Sequence, residues 1–339
     1  MTLRPVEVVG GGLAGLALGL GLRRAGVSVT IFEAGDYPRH RVCGEFITGL
    51  GAGTISRLGL ESALHGALHH REVAWFHRSR PVRVQQLPSP ALGISRHRLD
   101  ARLAEEFRGA GGSLVTHRRV VTDIAPEGRV FTTGRRRGAP SWIGLKLHVT
   151  GLDLSRDLEL HLGDEAYVGL SRVEEDQVNV CGLFRRRALC AKGENLLLAY
   201  LQAAGLGGLA RRVAAASVDP SSFCAVAALG FDRRVPPADR FCLGEAAAMI
   251  PPFTGNGMAM AFQGAELALD PLLAYARGEA EWAGTIRAVN LGLHRRFRLR
   301  LVSAAALHPF LLEPGRQRWL SRLTRARLLP FRPLYAVLH

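Results

Sequence analysis

Apolar runs and glycines near the start of the chain predict a strand, a tight turn and a helix. Residues 6–9, Val-Glu-Val-Val, are typical of a short buried strand. Glycines follow, and an apolar stretch without charged residues then continues to position 22, which predicts a helix beginning near Leu13. A second apolar run at 27–32 ends in Glu33. This order is typical of a β-α-β unit with two parallel strands.

The glycine spacing in this unit indicates a nucleotide-binding turn. Gly10, Gly12 and Gly15 follow the G-x-G-x-x-G pattern, which allows a tight turn, close approach of a pyrophosphate and packing of the helix on the strand. Phosphates are expected at the helix N-terminus, where free N–H groups favour an anion. Glu33 can accept the hydroxyls of an adenosine ribose, which favours FAD or NAD over a 2′-phosphorylated cofactor. The residues predicted to bind the nucleotide here are Gly10, Gly12, Leu13, Ala14, Gly15, Glu33 and Ala34.

A membrane helix or signal peptide is the alternative explanation of the uncharged stretch at 10–22. Glu7 precedes this stretch, and Arg23 and Arg24 end it. The stretch is also shorter than the roughly 20 residues that a membrane-spanning helix needs. We therefore reject the membrane interpretation.

Further along the chain, the pattern predicts a sheet inserted into the nucleotide-binding fold. A hairpin is expected from strands at 73–76 and 82–86, and a helix is expected to follow 94–100. Short strands are expected at 114–116, 120–124 and 130–133. A strand-rich middle with short polar links favours antiparallel pairing of residues 142–149, 158–162, 166–170 and 178–184. Helices are then expected at 195–204 and 258–273, with a buried strand at 241–244 between them.

We therefore predict an α/β protein whose nucleotide-binding domain is discontinuous. That domain is expected at 1–72, 92–136 and 237–278, and a substrate domain is expected at 73–91 and 137–236. A basic amphipathic helical region is expected at 279–339. Such a split creates a cleft between the nucleotide-binding fold and the inserted sheet, which is a usual place for a substrate.

Net charge and cysteine content indicate the cellular compartment of the protein and the classes of partner that it can bind. The 339 residues carry a formal net charge of +15, and five cysteines lack metal-binding spacing, which suits the reducing cytoplasm. Residues 286–339 hold eleven arginines and one acid, Glu313, among apolar residues. This segment can lie on an anionic membrane surface as a peripheral contact, or it can be a helical cap whose arginines face water. No recognised motif for nucleic acid accompanies the charge, so we do not expect nucleic acid as a partner.

Three separated motifs carry a resemblance to a known group of flavoproteins. They are the Gly10 to Glu33 unit, Thr132-Thr133-Gly134 after a strand, and Gly244-Glu245 followed by Pro252-x-x-Gly255-x-Gly257. Together they resemble the FAD-dependent group that includes aromatic hydroxylases, flavin halogenases and geranylgeranyl reductases. The resemblance implies a Rossmann-like FAD-binding domain of the glutathione reductase type with an inserted antiparallel-sheet substrate domain.

Two further segments resemble the reductase branch of this group. Residues 38–44, Pro-Arg-His-Arg-Val-Cys-Gly, are similar to its Pro-Arg-x-Lys-x-Cys-Gly signature, with Arg41 in place of Lys. Arg96-x-x-Leu-Asp100 is similar to the Arg-x-x-Phe-Asp that precedes a helix in the same branch.

The resemblance also implies roles for single residues. Glu33 is expected to hold the adenosine ribose, Arg96 to face the FAD chain, and Glu245 to bind a ribityl hydroxyl or the pyrophosphate region. Backbone N–H groups at 255–258 are expected at the flavin pyrimidine edge, where a helix N-terminus stabilises the negative charge of reduced flavin. The remaining expected FAD contacts are Arg41, Gly44, Val121, Thr133, Gly134, Gly244, Pro252, Gly255, Asn256, Gly257 and Met258.

No branch of the group is matched in full. Position 245 is Glu where the group usually has Asp, and the Asp-Gly motif of the hydroxylases is replaced by Thr133-Gly134. The segment that begins at Tyr167 keeps only the Tyr of the reductases' Tyr-x-Trp-x-Phe-Pro stretch. The Trp-x-Trp-x-Ile-Pro segment and the early catalytic Lys of the halogenases are not found.

Three residues are candidates for chemistry beside the flavin. Lys146 and His148 are two apart on a predicted strand and therefore point to one face. If that face is the cleft, Lys146 can hold an anionic phenolate and His148 can act as acid or base; the alternative is that both face solvent at a sheet edge. Glu45 can position substrate or protonate a product carbanion, whereas Cys43 is expected to be packed, and His69 and His70 are expected at the surface.

These observations support three functions. The first is an FAD-dependent monooxygenase that hydroxylates a hydrophobic aromatic or polyketide-like substrate, with NADPH or NADH as electron donor. The second is a reductase of C=C bonds in a lipid, similar to geranylgeranyl reductases. The third is a non-catalytic binder on the same fold, similar to the Rab GDP-dissociation inhibitors; the complete set of phosphate-loop glycines and Glu33 argue against it.

Overall fold

The computed structural model describes residues 3–135, 141–231 and 239–339. The described strands are β1 (Val6–Val9), β2 (Val29–Phe32), β3 (Phe46–Ile47), β4 (Leu68–His77), β5 (Arg80–Gly93), β6 (Ser113–Val115), β7 (Arg129–Phe131), β8 (Trp142–Thr150), β9 (Leu158–Gly163), β10 (Ala166–Arg172), β11 (Val178–Arg185), β12 (Ser217–Ala227) and β13 (Phe241–Cys242). The described helices are α1 (Leu13–Arg24), α2 (Ala52–Leu58), α3 (Arg96–Gly109), α4 (Glu194–Ala203), α5 (Gly207–Ala215), α6 (Gly257–Arg277), α7 (Trp282–Leu312), α8 (Pro314–Arg325) and α9 (Phe331–Leu338).

Five short strands form a parallel sheet in the order β13-β7-β1-β2-β6. Val8 lies between Ile31 and Val130 in this sheet, and all three side chains are fully buried. Helix α1 packs against both α3 and α6 in the same apolar core. Strands with apolar residues on both faces are stable only when layers cover both sides. The predicted α/β fold with a Rossmann-like domain is confirmed.

A second sheet has eight strands in the order β12-β8-β11-β10-β9-β4-β5-β3. Its neighbours are antiparallel except β4 and β9, which run parallel. The hairpin of β4 and β5 and the four strands of the middle segment lie where the pattern predicts them. The domain boundaries predicted at 136/137 and 236/237 fall outside the described residues, so the domain limits stay a prediction.

Two expectations about strands are wrong or incomplete. Residues 120–124 are not a strand: they lie in the link between β6 and β7 and pair with none of the described strands, and Val121 and Ile124 are exposed. Strand β12 was not expected, since its sequence contains Pro220 and several serines. A bulge between Asp219 and Cys224 accommodates this proline while the flanking residues pair with β8.

The two faces of the eight-stranded sheet have different partners. Leu145, Leu147 and Val149 of β8 point into an apolar cluster with α4 and α5. Lys146 and His148 alternate with them and therefore point to the opposite face. On that face the sheet contacts the loop between β2 and β3. The solvent-facing alternative for Lys146 and His148 is therefore wrong.

The C-terminal region is helical, as predicted. Helix α7 packs on α6, α8 and α9. Among the described residues, none of the helices combines the length and apolar character that a membrane span requires. In the helical-cap alternative, the arginines of this region were expected to face water. Arg300 does not, because it is buried and donates to Gln263 Oε1 at 2.9 Å and to the carbonyl of His339.

Candidate active site

Four turns come together at the carboxyl edge of the parallel sheet. They follow β1, β2, β7 and β13, and they carry the Gly10 loop, Glu33, Thr133-Gly134 and Gly244-Glu245. The chain continues from β1 to β2 and β6 on one side, whereas β7 and β13 lie on the other side, so the strand order reverses beside β1. Ligands of open α/β sheets bind at such a point.

The three glycines of the first turn differ in what excludes a side chain at their positions. A Cβ atom at Gly10 would lie 2.4 Å from the carbonyl oxygen of Thr132, and one at Gly15 would lie 2.1 Å from that of Gly10. A Cβ atom at Gly12 would meet nothing within 4 Å, and Gly12 has an ordinary extended backbone with φ −83°. The protein's own packing therefore explains Gly10 and Gly15 but not Gly12. A ligand in the open space at the N-terminus of α1 explains it.

Glu33 is held rigidly beside this turn. Its carboxylate accepts the Gly11 N–H at 2.7 Å and the Gly35 N–H at 2.9 Å, and it pairs with Arg39 at 2.8 Å. Burial would raise the pKa of Glu33, but these two hydrogen bonds and the charge of Arg39 lower it below its ordinary value. Oε1 accepts both the Gly35 N–H and Arg39, whereas Oε2 accepts only the Gly11 N–H, so Oε2 of the ionised group can also accept a ribose hydroxyl.

Arg96 and Arg41 share one buried carboxylate. Arg96 donates both Nε and Nη2 to Asp100, at 2.7 and 2.8 Å, and Arg41 donates Nε to the same residue at 3.0 Å. Burial alone would lower the pKa of Arg96, but the bidentate pair with Asp100 raises it above its usual range. The Nη2 atom of Arg41 is buried without a hydrogen-bond partner, which leaves a donor for a ligand.

The loop before α6 lies against the segment around Phe46. Thr48 donates its hydroxyl to the carbonyl of Thr254 at 3.1 Å, and a Cβ atom at Gly255 would collide with the Phe46 ring. A Cβ atom at Gly257 would meet nothing within 4 Å, so the N-terminus of α6 faces open space. Asn256 is fully buried, and its Oδ1 atom has no partner.

The remaining predicted FAD contacts differ in burial. Leu13, Ala14 and Met258 are buried, whereas Gly44, Gly134 and Gly244 are half-buried. Ala34, Val121, Thr133, Glu245 and Pro252 are exposed. The open space in front of Gly12, Gly134 and Gly257, together with the unpartnered polar atoms of Arg41 and Asn256, fits a large polar cofactor such as FAD.

The three predicted catalytic residues form one buried cluster. His148 Nε2 lies 2.5 Å from Glu45 Oε2, and Lys146 Nζ lies 3.5 Å from Glu45 Oε1. All three side chains are at most 1% exposed. Glu45 also accepts the backbone N–H of Arg96 at 3.0 Å, which attaches the cluster to the start of α3.

The electrostatics of the cluster keep Glu45 ionised. Burial would raise the pKa of Glu45, but the hydrogen bond to His148 and the charge of Lys146 lower it below its ordinary value. An ionised Glu45 accepts Nε2–H of His148. The Nδ1 atom of His148 is buried and has no hydrogen-bond partner, so it is the one polar atom of this ring that remains for a bound molecule.

Several polar residues of this region were missed by sequence reasoning. Asn179 donates to the carbonyl of Cys43 at 2.9 Å, and Ser171 donates to that of Gly44 at 2.7 Å. Ser222, from the bulge of β12, accepts the backbone N–H of His148 at 2.8 Å. His40 Nδ1 lies 2.9 Å from Lys146 Nζ. A signal existed for Asn179 and Ser171, which are polar positions at alternate places in otherwise apolar strands.

The prediction for His70 is wrong, whereas that for His69 is confirmed. His69 is exposed, but His70 is 2% exposed, and its Nε2 atom bonds the carbonyl of Arg172 at 2.9 Å. This bond joins β4 to the end of β10 and satisfies the ring in the interior. Cys43, predicted to be packed, lies against the apolar core, and burial raises the pKa of its thiol. Among the described residues, no group of His, Cys, Asp and Glu forms a metal site.

Comparisons with known proteins agree with the fold. A family model described as an NAD(P)-binding Rossmann-like domain matches residues 8–57. A curated relative, a menaquinone reductase from Mycolicibacterium smegmatis, is 27% identical over 124 residues. This match spans 35% of the chain and 30% of the relative's own length.

Solved structures of other proteins match nearly the whole chain. The p-nitrophenol 4-monooxygenase PnpA from Pseudomonas putida has a TM-score of 0.76 at 15% identity, covering 99% of this chain and 97% of that one. A variant of HpxO from Klebsiella pneumoniae, solved in complex with FAD, has a TM-score of 0.75 at 16% identity, covering 98% and 97%. The chain therefore has the fold of these proteins.

Proposed function

We propose that this protein is an FAD-dependent oxidoreductase. The observation that carries the proposal concerns Gly12. Its backbone angles suit any residue, and a Cβ atom there would meet no protein atom within 4 Å, so the protein itself does not require glycine at this position. The ionised Glu33 beside it and the open N-termini of α1 and α6 supply the contacts that a dinucleotide needs. The fold shared with a protein solved in complex with FAD supports the same cofactor.

Within this class, we propose a monooxygenase that hydroxylates a hydrophobic aromatic or polyketide-like substrate. The flavin, when bound, supplies the oxygen chemistry. His148 accepts a proton from a substrate hydroxyl at its free Nδ1 atom, while Glu45 holds its Nε2–H. Lys146 adds positive charge on the same face of the sheet, which favours an anionic phenolate. The activity of PnpA, a p-nitrophenol monooxygenase of the same fold, supports this class of substrate.

A reductase of lipid C=C bonds is the second candidate. It is favoured by the sequence match to a menaquinone reductase and by the Pro-Arg-x-Arg-x-Cys-Gly loop, whose carbonyls at Cys43 and Gly44 are held by Asn179 and Ser171. In this function Glu45 and His148 would deliver a proton to carbon rather than remove one from oxygen.

One experiment separates these functions. The purified protein is reduced anaerobically with NADH or NADPH, and a phenol or a polyprenyl quinone is added with and without oxygen. A monooxygenase forms product only after oxygen is admitted, whereas a reductase forms product without it. A colourless protein that does not take up FAD would leave the non-catalytic binder as the function.

We also propose that one face of α7 contacts anionic lipid. Leu291, Arg295, Arg298, Leu299 and Val302 recur at spacings of three and four residues, and all are exposed. An apolar stripe that carries arginines suits the interface of a membrane with acidic headgroups. A lipid-like substrate would then be drawn from the same surface.

A further inference from the structure

We propose that Gly169 of β10 is the floor of a groove that takes a long apolar substituent of the substrate. The substrate is then a phenol that carries an extended apolar group, rather than a phenol of a single ring. This inference rests on the proposed hydroxylation of a phenol beside Lys146 and His148, and it adds the residue that selects the substrate by its length.

The packing of the sheet does not explain why position 169 is a glycine. At the other glycines of β8, β9 and β11, a Cβ atom would come within 3.0 Å of a neighbouring atom; these are Gly144, Gly163 and Gly182. Among the described residues, a Cβ atom at Gly169 would meet only the carbonyl oxygen of Cys181, at 3.9 Å. That distance is an ordinary van der Waals contact, so the sheet itself has room for a side chain here.

The backbone of Gly169 does not require glycine either. Strand β10 pairs with β9 and β11 in an unbroken register from Ala166 to Ser171, so there is no bulge at Gly169. Its φ lies outside the left-handed region. Glycine in the interior of a strand weakens the strand, and where there is no bulge or bend it marks a site that a ligand approaches closely. A ligand above the sheet therefore explains this residue.

Gly169 lies in the same row across the sheet as Lys146. The paired residues of this row, from β8 to β4, are Lys146, Cys181, Gly169, Leu160 and Trp75. The residues that alternate with them on β8, β10 and β11 point into the apolar cluster with α4 and α5, so the row lies on the face of the buried cluster. Neighbouring strands are about 4.8 Å apart, which places the Cα atom of Gly169 about 10 Å from that of Lys146. The ring of a phenol held at Lys146 then lies beside Cys181, and a substituent on the far side of the ring lies over Gly169.

The rows on both sides of Gly169 are covered. Ser171 donates to the carbonyl of Gly44 at 2.7 Å, so the loop between β2 and β3 covers one side. On the other side, the ring of Tyr167 packs edge-on against Phe253 of the loop before α6, with centroids 6.3 Å apart. Ser171 and Tyr167 are 1% and 4% exposed, whereas Gly169 between them is half-buried. The open space above Gly169 is therefore a groove between two covered rows.

The far end of the groove is apolar. Leu160 and Trp75 are half-buried, and they belong with Tyr167 to an apolar cluster that Leu311 of α7 also joins. Each methylene that moves from water into such surroundings tightens binding about fourfold. An apolar chain is therefore the kind of substituent that this end of the groove stabilises.

The length of the bound phenol tests the proposal. Flavin-loaded protein is titrated in a calorimeter with p-cresol, p-propylphenol and p-heptylphenol. In the unchanged protein, each added methylene should lower the Kd about fourfold. Gly169→Leu should bind p-cresol as the unchanged protein does, but its Kd for p-heptylphenol should be about 16-fold higher or more, because the new side chain displaces at least two methylenes. Gly169→Ala should have a smaller effect than Gly169→Leu.

Gly109→Leu is the control. Gly109 is exposed at the end of α3, and a Cβ atom there would also meet nothing within 4 Å. This variant should bind all three phenols as the unchanged protein does. Equal Kd values of Gly169→Leu and the unchanged protein for p-heptylphenol overturn the proposal. Loss of flavin from Gly169→Leu also overturns it, because the space would then belong to the cofactor.

Stability without a phenol is a second readout. Gly169→Ala should unfold at the same urea concentration as the unchanged protein or at a higher one, since the interior of a strand disfavours glycine. A lower midpoint would mean that the sheet itself needs glycine here, which overturns the proposal.

Turnover separates this inference from the proposed function. If binding of p-heptylphenol depends on Gly169 but no hydroxylated product forms with NADH or NADPH and oxygen, the groove stands and the monooxygenase function fails. If product forms and binding does not depend on Gly169, the function stands and the groove is overturned. If the unchanged protein binds none of the three phenols, both are overturned.

Discussion

The side-chain amide of Asn256 donates to the carbonyl of Leu338 at 2.5 Å, so the start of α6 is attached to the end of α9 across 82 residues of chain. The neighbouring His339 ring bonds Thr48 Oγ1 at 2.7 Å and stacks on Tyr335 at 3.7 Å. Burial lowers the pKa of His339, so at neutral pH its ring is the neutral form. The last helix therefore holds the loop that is expected at the flavin pyrimidine edge.

Removing the His339 ring should weaken FAD binding. The His339 ring bonds Thr48 Oγ1 at 2.7 Å and also lies 3.3 Å from the carbonyl of Thr254. We expect His339→Ala to raise the Kd for FAD about tenfold, because these two hydrogen bonds, worth about 0.5–1.5 kcal/mol each, no longer hold the loop. Val337→Ala is the matched control, since Val337 lies on the same helix with its side chain exposed. Titration of apoprotein with FAD by fluorescence measures both. Equal Kd values for the two variants would show that α9 does not position the loop.

Gly12→Val should remove FAD binding and leave the fold intact. A Cβ atom at position 12 would meet no protein atom within 4 Å, and the φ of −83° suits any residue, so the valine extends into the space in which the cofactor is expected. Gly315→Val is the control, because Gly315 also has open space before it but lies at the start of α8. Flavin absorbance of the purified variants, with circular dichroism for the fold, is the measurement. Full flavin content in Gly12→Val would contradict the assignment of this turn.

The buried cluster should behave as a unit in stability measurements. Lys146→Met leaves the Glu45 carboxylate buried with less compensation, and breaking a buried pair in this way costs about 3–5 kcal/mol. Glu45→Gln together with Lys146→Met removes both charges and should recover part of that loss. Unfolding in urea of the two single variants and the double variant gives the coupling free energy. Additive losses would mean that Lys146 and Glu45 do not interact.

Local sequence signals were sufficient to predict the nucleotide-binding turn and the common face of Lys146 and His148. They were not sufficient to predict contacts between residues that are distant in the sequence. The turn from β1 into α1 and the common face of Lys146 and His148 follow from glycine spacing and from the period of a strand, which neighbouring residues determine. The contact between His40 and Lys146 joins positions 106 residues apart and has no local signature. The burial of Arg300 likewise depends on Gln263 and His339, which are close only after the helices pack.

The proposed lipid contact of α7 should depend on charge. Each Arg near an anionic surface contributes about 1 kcal/mol within a Debye length, so Arg295→Glu with Arg298→Glu should abolish binding to acidic vesicles at low salt. Arg118→Glu with Arg119→Glu makes the same charge change at two exposed positions between β6 and β7 and is the control. Sedimentation with vesicles of neutral and of acidic phospholipid is the assay. Equal pelleting with both vesicle types would contradict the proposed contact with acidic lipid and would mean that α7 acts only as a structural cap.

His308 should make stability fall as the pH is lowered through the weakly acidic range. Its ring is 8% exposed and lies among Tyr167, Phe231 and Phe253, at centroid distances of 4.8 to 6.0 Å. Burial lowers its pKa to about 4. In the unfolded chain an ordinary histidine has a pKa of about 6.5, so between these values the unfolded state binds more protons and stability rises with pH.

The size of this effect follows from the two pKa values. Between pH 7.5 and pH 5, His308 should lower the free energy of unfolding by about 2 kcal/mol. His308→Phe keeps the ring within the aromatic cluster and removes the titration, so its loss over the same pH range should be smaller by that amount. His69→Gln, which changes an exposed histidine, should follow the unchanged protein. Urea unfolding at both pH values is the measurement. An equal pH dependence in His308→Phe and the unchanged protein would mean that the His308 ring takes up its proton as readily in the folded chain as in the unfolded one.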